Sequence, residues 1–242
     1  RPSPPRRPRR FFWLFLAVTA CVLGTATTGV LWAPEFHRAR LAVGGPLDGR
    51  LPAAAAAAAE DDVRRLITEV SAVHAAFMQV GPWECGFTER QFNAWLAIDL
   101  PRNHDDILPD AIDKLRVQLL PGRIRAGCRL GREPLAATAW VEAVVRLVEP
   151  NHLAISLADA RLGSLPLPRG PILRELGHRL ARLGLVTELR RREDRLILEV
   201  YIPSTHEGGG TSHWLESLRI DAGSLAVVGE TRRGLVPPQV GR

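Results

Sequence analysis

Residues 115–130, LRVQLLPGRIRAGCRL, decide the fold class. Leu115, Val117 and Leu119 alternate with Arg116 and Gln118, the period of two that marks a strand with one buried face. Pro121-Gly122 turns the chain. Ile124, Ala126, Cys128 and Leu130 then resume the apolar side, against Arg123, Arg125, Gly127 and Arg129 on the other. This is a half-buried hairpin with an arginine-rich outer face. The pattern continues from Leu135 to Val148, where Ala137, Ala139, Val141, Ala143, Val145 and Leu147 occupy the odd positions. Thr138, Glu142 and Arg146 stand among the even ones. Pro150-Asn151 turns again, and Leu153, Ile155 and Leu157 extend the apolar face. Strands pairing in sequence order would bring all these residues to one concave side of an antiparallel sheet.

On both sides of this region the period is helical. Ala53 to Ala59 is an alanine run, a strong helix former. Val63, Leu66, Ile67, Val70, Val73, His74 and Phe77 follow at helical spacing. A helix is expected over 53–80, stopped by Gly81-Pro82, so that 53–85 forms an alanine-led helical segment. His74 on its apolar side reads as a packed core histidine. Thr88 and Gln91 form a capping box for a second helix ending near Pro101, with Phe87 and Phe92 as a hydrophobic staple. Downstream, Leu162 to Pro168, LGSLPLP, excludes helix and central strand. Pro171 opens a third helix with Ile172, Leu173, Leu176, Leu180 and Leu183 on one stripe. Leu196, Leu198, Val200 and Ile202 mark a further strand, and Glu207 to His213, with three glycines, a loop. Two last strands are expected at 214–221 and 225–231, and 232–242 reads as a disordered tail. The fold class is therefore α+β: a strongly curved antiparallel sheet wrapped around, or covered by, amphipathic helices over residues 86–231.

Of 242 residues, 46% are hydrophobic and 24% charged, which excludes a wholly disordered chain. The net charge is +6, and residues 1–10 carry five arginines and no acid, leaving +1 for the other 232. The basicity belongs mainly to this tail, so a nucleic-acid partner is not expected. Lys114 is the one lysine. Residues 11–33, FFWLFLAVTACVLGTATTGVLWA, hold no charge. As a helix they span roughly 34 Å, enough for a hydrocarbon core of about 30 Å. The cationic flank keeps 1–10 cytoplasmic and sends everything after Pro34 outside. The favoured reading is an uncleaved transmembrane anchor, with 34–52 as a Pro- and Gly-containing linker. A cleaved signal peptide competes with it. So does a lipobox at Val18-Thr19-Ala20-Cys21, which would lipidate Cys21.

No nucleophile elbow, zinc-protease helix, P-loop, dinucleotide fingerprint or EF-hand loop occurs, so the chain is read as non-catalytic, without cofactor or metal. Asn103-His104-Asp105-Asp106 reads as a solvated loop, and Gly208-Gly209-Gly210 as a hairpin tip. Cys85 and Cys128 are either small buried residues or, in an oxidising compartment, a disulfide pair. Arg123, Arg125 and Arg129 fit a solvated sheet face and, less directly, contact with anionic headgroups. The candidate ligand groove comprises Leu115, Val117, Leu119, Ala126, Ala137, Ala139, Val141, Ala143, Val145, Ile155 and Leu157. The third-helix residues Leu173, Leu176 and Leu180 would line or close it. The alanines make this face shallow, leaving room for a helix or for an apolar ligand.

Two local motifs carry a resemblance. One is F-T-E-x-Q-x-N-x-x-L at Phe87 to Leu96, including Asn93. The other is the x-L-G-x-L-P-L-P-x segment at Arg161 to Arg169, which leads into an amphipathic helix. With the anchor before them and the Pro-Gly hairpin and long strand between, this order resembles the YpmS-like and LmeA-like small anchored or exported bacterial proteins, over roughly residues 86–231. That group is similar to tubular lipid-binding folds, in which a curved sheet wraps a helix. The resemblance implies non-catalytic binding of a lipid or other apolar ligand at a membrane surface. The alternative is a scaffold with a filled core, acting through envelope protein partners.

The topology is testable. A reporter fused after Arg242 should be active only outside the cytoplasm; cytoplasmic activity would overturn the orientation read from the five-arginine flank.

Overall fold

The structure is a computed structural model and describes residues 53–103, 112–130, 137–193, 195–204 and 211–233. The expected membrane segment 11–33 with Cys21, the linker 34–52, residues 104–106 and 208–210, and the tail beyond Arg233 lie outside them. Among the described residues no helix is long and apolar enough to cross a membrane.

The described chain is α+β, with antiparallel strand pairing throughout. Helix α1 (Ala53–Phe77) leads into β1 (Gly81–Thr88) and α2 (Glu89–Asn103). Two hairpins follow, β2 (Ile112–Leu120) with β3 (Arg123–Leu130) and β4 (Ala137–Glu149) with β5 (His152–Leu162). The short β6 (Leu165–Pro166) pairs back onto β5 before α3 (Arg169–Arg182). The chain ends with β7 (Val186–Arg192), β8 (Arg195–Tyr201), β9 (Thr211–Asp221) and β10 (Ser224–Arg233). One sheet has the order β2-β3-β4-β5-β8-β7, and a second the order β1-β10-β9.

Pairing in sequence order holds from β2 to β5 and then fails, because β5 takes β8 as its neighbour and β7 lies outside it. The first helix is shorter than its pattern suggests. Gly81-Pro82 does follow its end, but it also opens β1, so the expected boundary at residue 86 cuts a strand. Pro82 is tolerated because β1 is an edge strand of its sheet. Two residues before Pro171, Arg169 already begins α3, and β10 includes Arg232 and Arg233, where a tail was expected.

The start of α2 follows the sequence signature. The Thr88 hydroxyl accepts from Gln91 N–H at 3.2 Å, while Gln91 Oε1 accepts from Thr88 N–H at 2.6 Å. The Phe87 and Phe92 rings meet at 5.6 Å. One turn further in, α2 seals the edge of the large sheet. Asn93 Oδ1 accepts from Val117 N–H and its Nδ2 donates to Val117 C=O, both at 2.8 Å. Glu89 accepts from Leu119 N–H at 2.8 Å. Four residues of helix rise about 6 Å and two of strand about 6.8 Å, so Glu89 and Asn93 match Leu119 and Val117.

The two sheets join along β9, which lies across the tips of both hairpins. Gly122 N–H donates to Ile220 C=O at 2.8 Å, and Gly223 N–H to Leu119 C=O at 3.1 Å. At the second tip Asn151 makes three bonds to β9. Its N–H donates to Leu215 C=O at 3.1 Å, its Oδ1 accepts from Leu215 N–H at 2.6 Å, and its Nδ2 donates to His213 C=O at 2.7 Å. Asn151 is buried and has φ +61°, a conformation asparagine tolerates better than most residues.

Asn151→Ala leaves Leu215 N–H and His213 C=O without their side-chain partner and puts a worse residue at positive φ. We expect it to cost about 2–4 kcal/mol in chemical denaturation. Asn151→Asp should recover part of this, because one oxygen still accepts from Leu215. A neutral Asn151→Ala would mean that the sheets are joined by other contacts.

Candidate functional site

The residues expected to line a groove do share one face. Register places Val117 opposite Ala126, Ala126 opposite Val141, and Ala139 between Cys128 and Leu162. Ala143 faces Leu157 across a bulge, and Val145 faces Ile155. Beyond β5 the face continues through Leu198 and Val200 of β8. Thirteen of the fourteen candidates are only 0–7% exposed, and Val145 is partly buried against the same core. Helix α3 supplies Leu173, Leu176 and Leu180, at 1%, 0% and 0% exposure. It packs on β5, β7 and β8. The approach is close: a Cβ on Gly177 would stand 3.0 Å from a Leu198 methyl, and Thr187 Oγ1 donates to Gly177 C=O at 3.3 Å.

Cys85 and Cys128 are both buried, Cys85 on β1 and Cys128 on β3, and are not joined to each other. The disulfide is not formed. Burial, with Glu69 and Glu84 nearby, pushes the Cys85 thiol up to about 12, which suppresses the reactive thiolate.

The other face of the large sheet holds what the sequence reading left as solvated polar surface. Glu142 of β4 points outward, yet its side chain is only 8% exposed. Arg125 donates to its Oε2 at 2.5 Å and Arg123 to its Oε1 at 2.8 Å. Burial pulls this carboxyl upward, and the hydrogen bonds and charges of Arg125 and Arg123 outweigh it, holding Glu142 below the ordinary glutamate value. Trp140, two residues earlier, lies under the guanidinium groups of Arg125 and Arg161, 5.6 and 5.9 Å from its ring centre.

A second buried carboxylate, Glu199 of β8, forms a similar centre. Arg192 donates to Oε1 at 3.0 Å, the Tyr201 hydroxyl to Oε2 at 3.0 Å, and Arg190 lies 3.3 Å away. The His152 ring stacks on Tyr201 at 4.2 Å, with Nε2 3.7 Å from Glu199. Burial first, and then the bond to Glu199, raise the Tyr201 phenol. Both glutamates are held by two arginines.

The remaining outward positions follow from the registers. Arg116 and Arg129 flank the first hairpin, Arg146 lies on β4 opposite Ala154, and Arg195 pairs with Arg192 at the β7–β8 end. Glu149, Asp159 and Glu188 are the other carboxylates on this side. Among the described residues, no three His, Cys, Asp or Glu side chains gather into a metal-holding group.

Glu142→Gln keeps the shape and removes the charge. Because the folded carboxyl sits below its unfolded value, its contribution is present at neutral pH and is lost as pH falls from the ordinary glutamate value through the folded one. The variant should be less stable by about 1–2 kcal/mol at pH 7, since Arg123 and Arg125 remain partly hydrated. Denaturation curves of the two proteins should converge near pH 3. An equal difference at both pH values would assign the effect to packing instead.

Comparison with protein-family models, with curated proteins and with solved structures finds no match.

Proposed function

We propose that this chain is a membrane-anchored, extracytoplasmic, non-catalytic domain that acts as an envelope scaffold through its surface. The single observation that carries the reading is the filled inner face: the residues that would line a ligand groove are packed together in one core, with 0–7% exposure in all but Val145. The anchor at 11–33 is part of this proposal, on its uncharged length and cationic flank. So are the strong curvature of the sheet and the kinship with YpmS-like and LmeA-like proteins, on the motifs at Phe87–Leu96 and Arg161–Arg169.

The same resemblance carries a second reading, a lipid held in an apolar groove. The row Ala126, Ala137, Ala139 and Ala143 favours it, because small side chains make the β3–β4 part of the inner face shallow. The two readings differ at Ala139, which is 3% exposed and flanked by Cys128 and Leu162. In a filled core Ala139→Trp should cost roughly 1–3 kcal/mol by overpacking. The purified full chain, mildly delipidated, should also give a clean apo mass in native mass spectrometry. A variant of unchanged stability that no longer takes up lipid, together with a retained apolar ligand in the parent, would replace the scaffold with the lipid-binding reading.

A further inference from the structure

Beyond residue 10 the chain is close to neutral, but its charge is not evenly spread. The outward face of the large sheet carries nine arginines against five carboxylates among the described side chains, with Asp113 a sixth acidic position in register with Arg129, a surplus of three. The described residues together sum to +4, so most of their surplus lies on this face. The helices pack elsewhere: α1 on α2 and β1, α2 on β1 and β2, and α3 on β5, β7 and β8 from the inner side. Six strands at about 4.8 Å spacing make a surface about 24 Å wide.

From this segregation we propose that the outer face of the β2-β3-β4-β5-β8-β7 sheet docks flat on an anionic lipid bilayer, the one to which the chain is tethered. The proposal rests on the anchor reading of the proposed function. Two features favour a bilayer over a nucleic acid or another polyanion. The first is the two-dimensional spread of the arginines. Arg116, Arg125, Arg146, Arg161 and Arg190 come from five different strands, which suits a plane of headgroups better than a single thread of phosphates. The second is an aromatic side chain set among these arginines. Trp140, layered with Arg125 and Arg161, adds an amphipathic ring of the kind that settles at the membrane–water interface. Glu142 and Glu199 serve the surface by spacing the arginines: each holds two guanidinium groups in place without cancelling the surplus.

The test uses the full chain reconstituted in vesicles. Ser156, at the centre of the face between Val144 and Ile197, is replaced by Cys and carries a small environment-sensitive dye, in a Cys21→Ser background that leaves only the buried Cys85 and Cys128 as other thiols. On vesicles with a third phosphatidylglycerol, aqueous iodide should quench the dye several-fold less than on pure phosphatidylcholine. Salt at about 1 M, where the screening length is near 3 Å, should abolish the difference. Arg146→Glu, at an exposed position, cuts the surplus from three to one and should restore at least tenfold of the shift in docking equilibrium. Equal quenching on both vesicles overturns the proposal. So does protection of the dye by short duplex DNA on phosphatidylcholine vesicles, which would assign the face to a polyanion. Retention on phosphatidylcholine through an alkaline wash reports the anchor separately. If that retention fails, docking is read from flotation: salt-sensitive flotation with phosphatidylglycerol vesicles alone supports the proposal, and equal flotation with both overturns it.

Discussion

The arrangement of the two sheets depends on one asparagine. Asn151 sits at a hairpin tip with positive φ and presents its amide to β9 as if it were another strand residue. Both the donor and the acceptor of the side chain are used, and the backbone N–H adds a third bond. Without such a partner, the outer edge of β9 would present unpaired amides to water or to another chain. With it, the small sheet is sewn to the turns of the large one, and Gly122 repeats the device at the neighbouring tip. Asn93 performs the same service on β2. Two edge strands, β2 and β9, are therefore closed by side-chain amides and, on β2, a carboxylate rather than by further strands.

This explains which parts of the architecture could be read from the sequence. The hairpins β2–β3 and β4–β5 announce themselves, because each has one wet face and one dry one, so alternation survives in the letters. The α2 start is equally legible, since capping is local chemistry within four residues. What escaped is non-local. The strand β1 is an edge strand beginning with Gly-Pro, and its inward residues Trp83 and Cys85 are too few to outvote that breaker. Strand β7, VTELRRR, has little apolar alternation because its outward side is charged and its edge is open among the described residues. The partnership of β5 with β8 is a property of the folded chain, and no spacing encodes it.

The same division applies to the surfaces. The inner residues were identifiable by period, but whether the space between them is filled depends on how closely α3 approaches, which Gly177 and Leu198 decide. On the outer side, nothing in the sequence sets Glu142 and Glu199 apart from other carboxylates. They are buried by the arginines that neutralise them, so the burial follows from cross-strand register. Net charge also concealed how the arginines are placed: nine of them stand on the outward face of the large sheet.

The pairing of β1 with β10 has a consequence for how the protein is made. Gly81 meets Thr231 across the length of the domain, so the small sheet cannot exist until the last strand has left the ribosome. At about 5–20 residues per second, β1 waits on the order of ten seconds for its partner. During that interval Trp83 and Cys85 have no sheet to enter, and β10 has only its hairpin mate β9. The large sheet, whose first four strands are consecutive neighbours, has no such delay. Synthesis order thus separates the molecule into an early part that can form locally and a late part that locks it, which makes the unpaired β1 edge the natural place for a chaperone to hold the emerging chain.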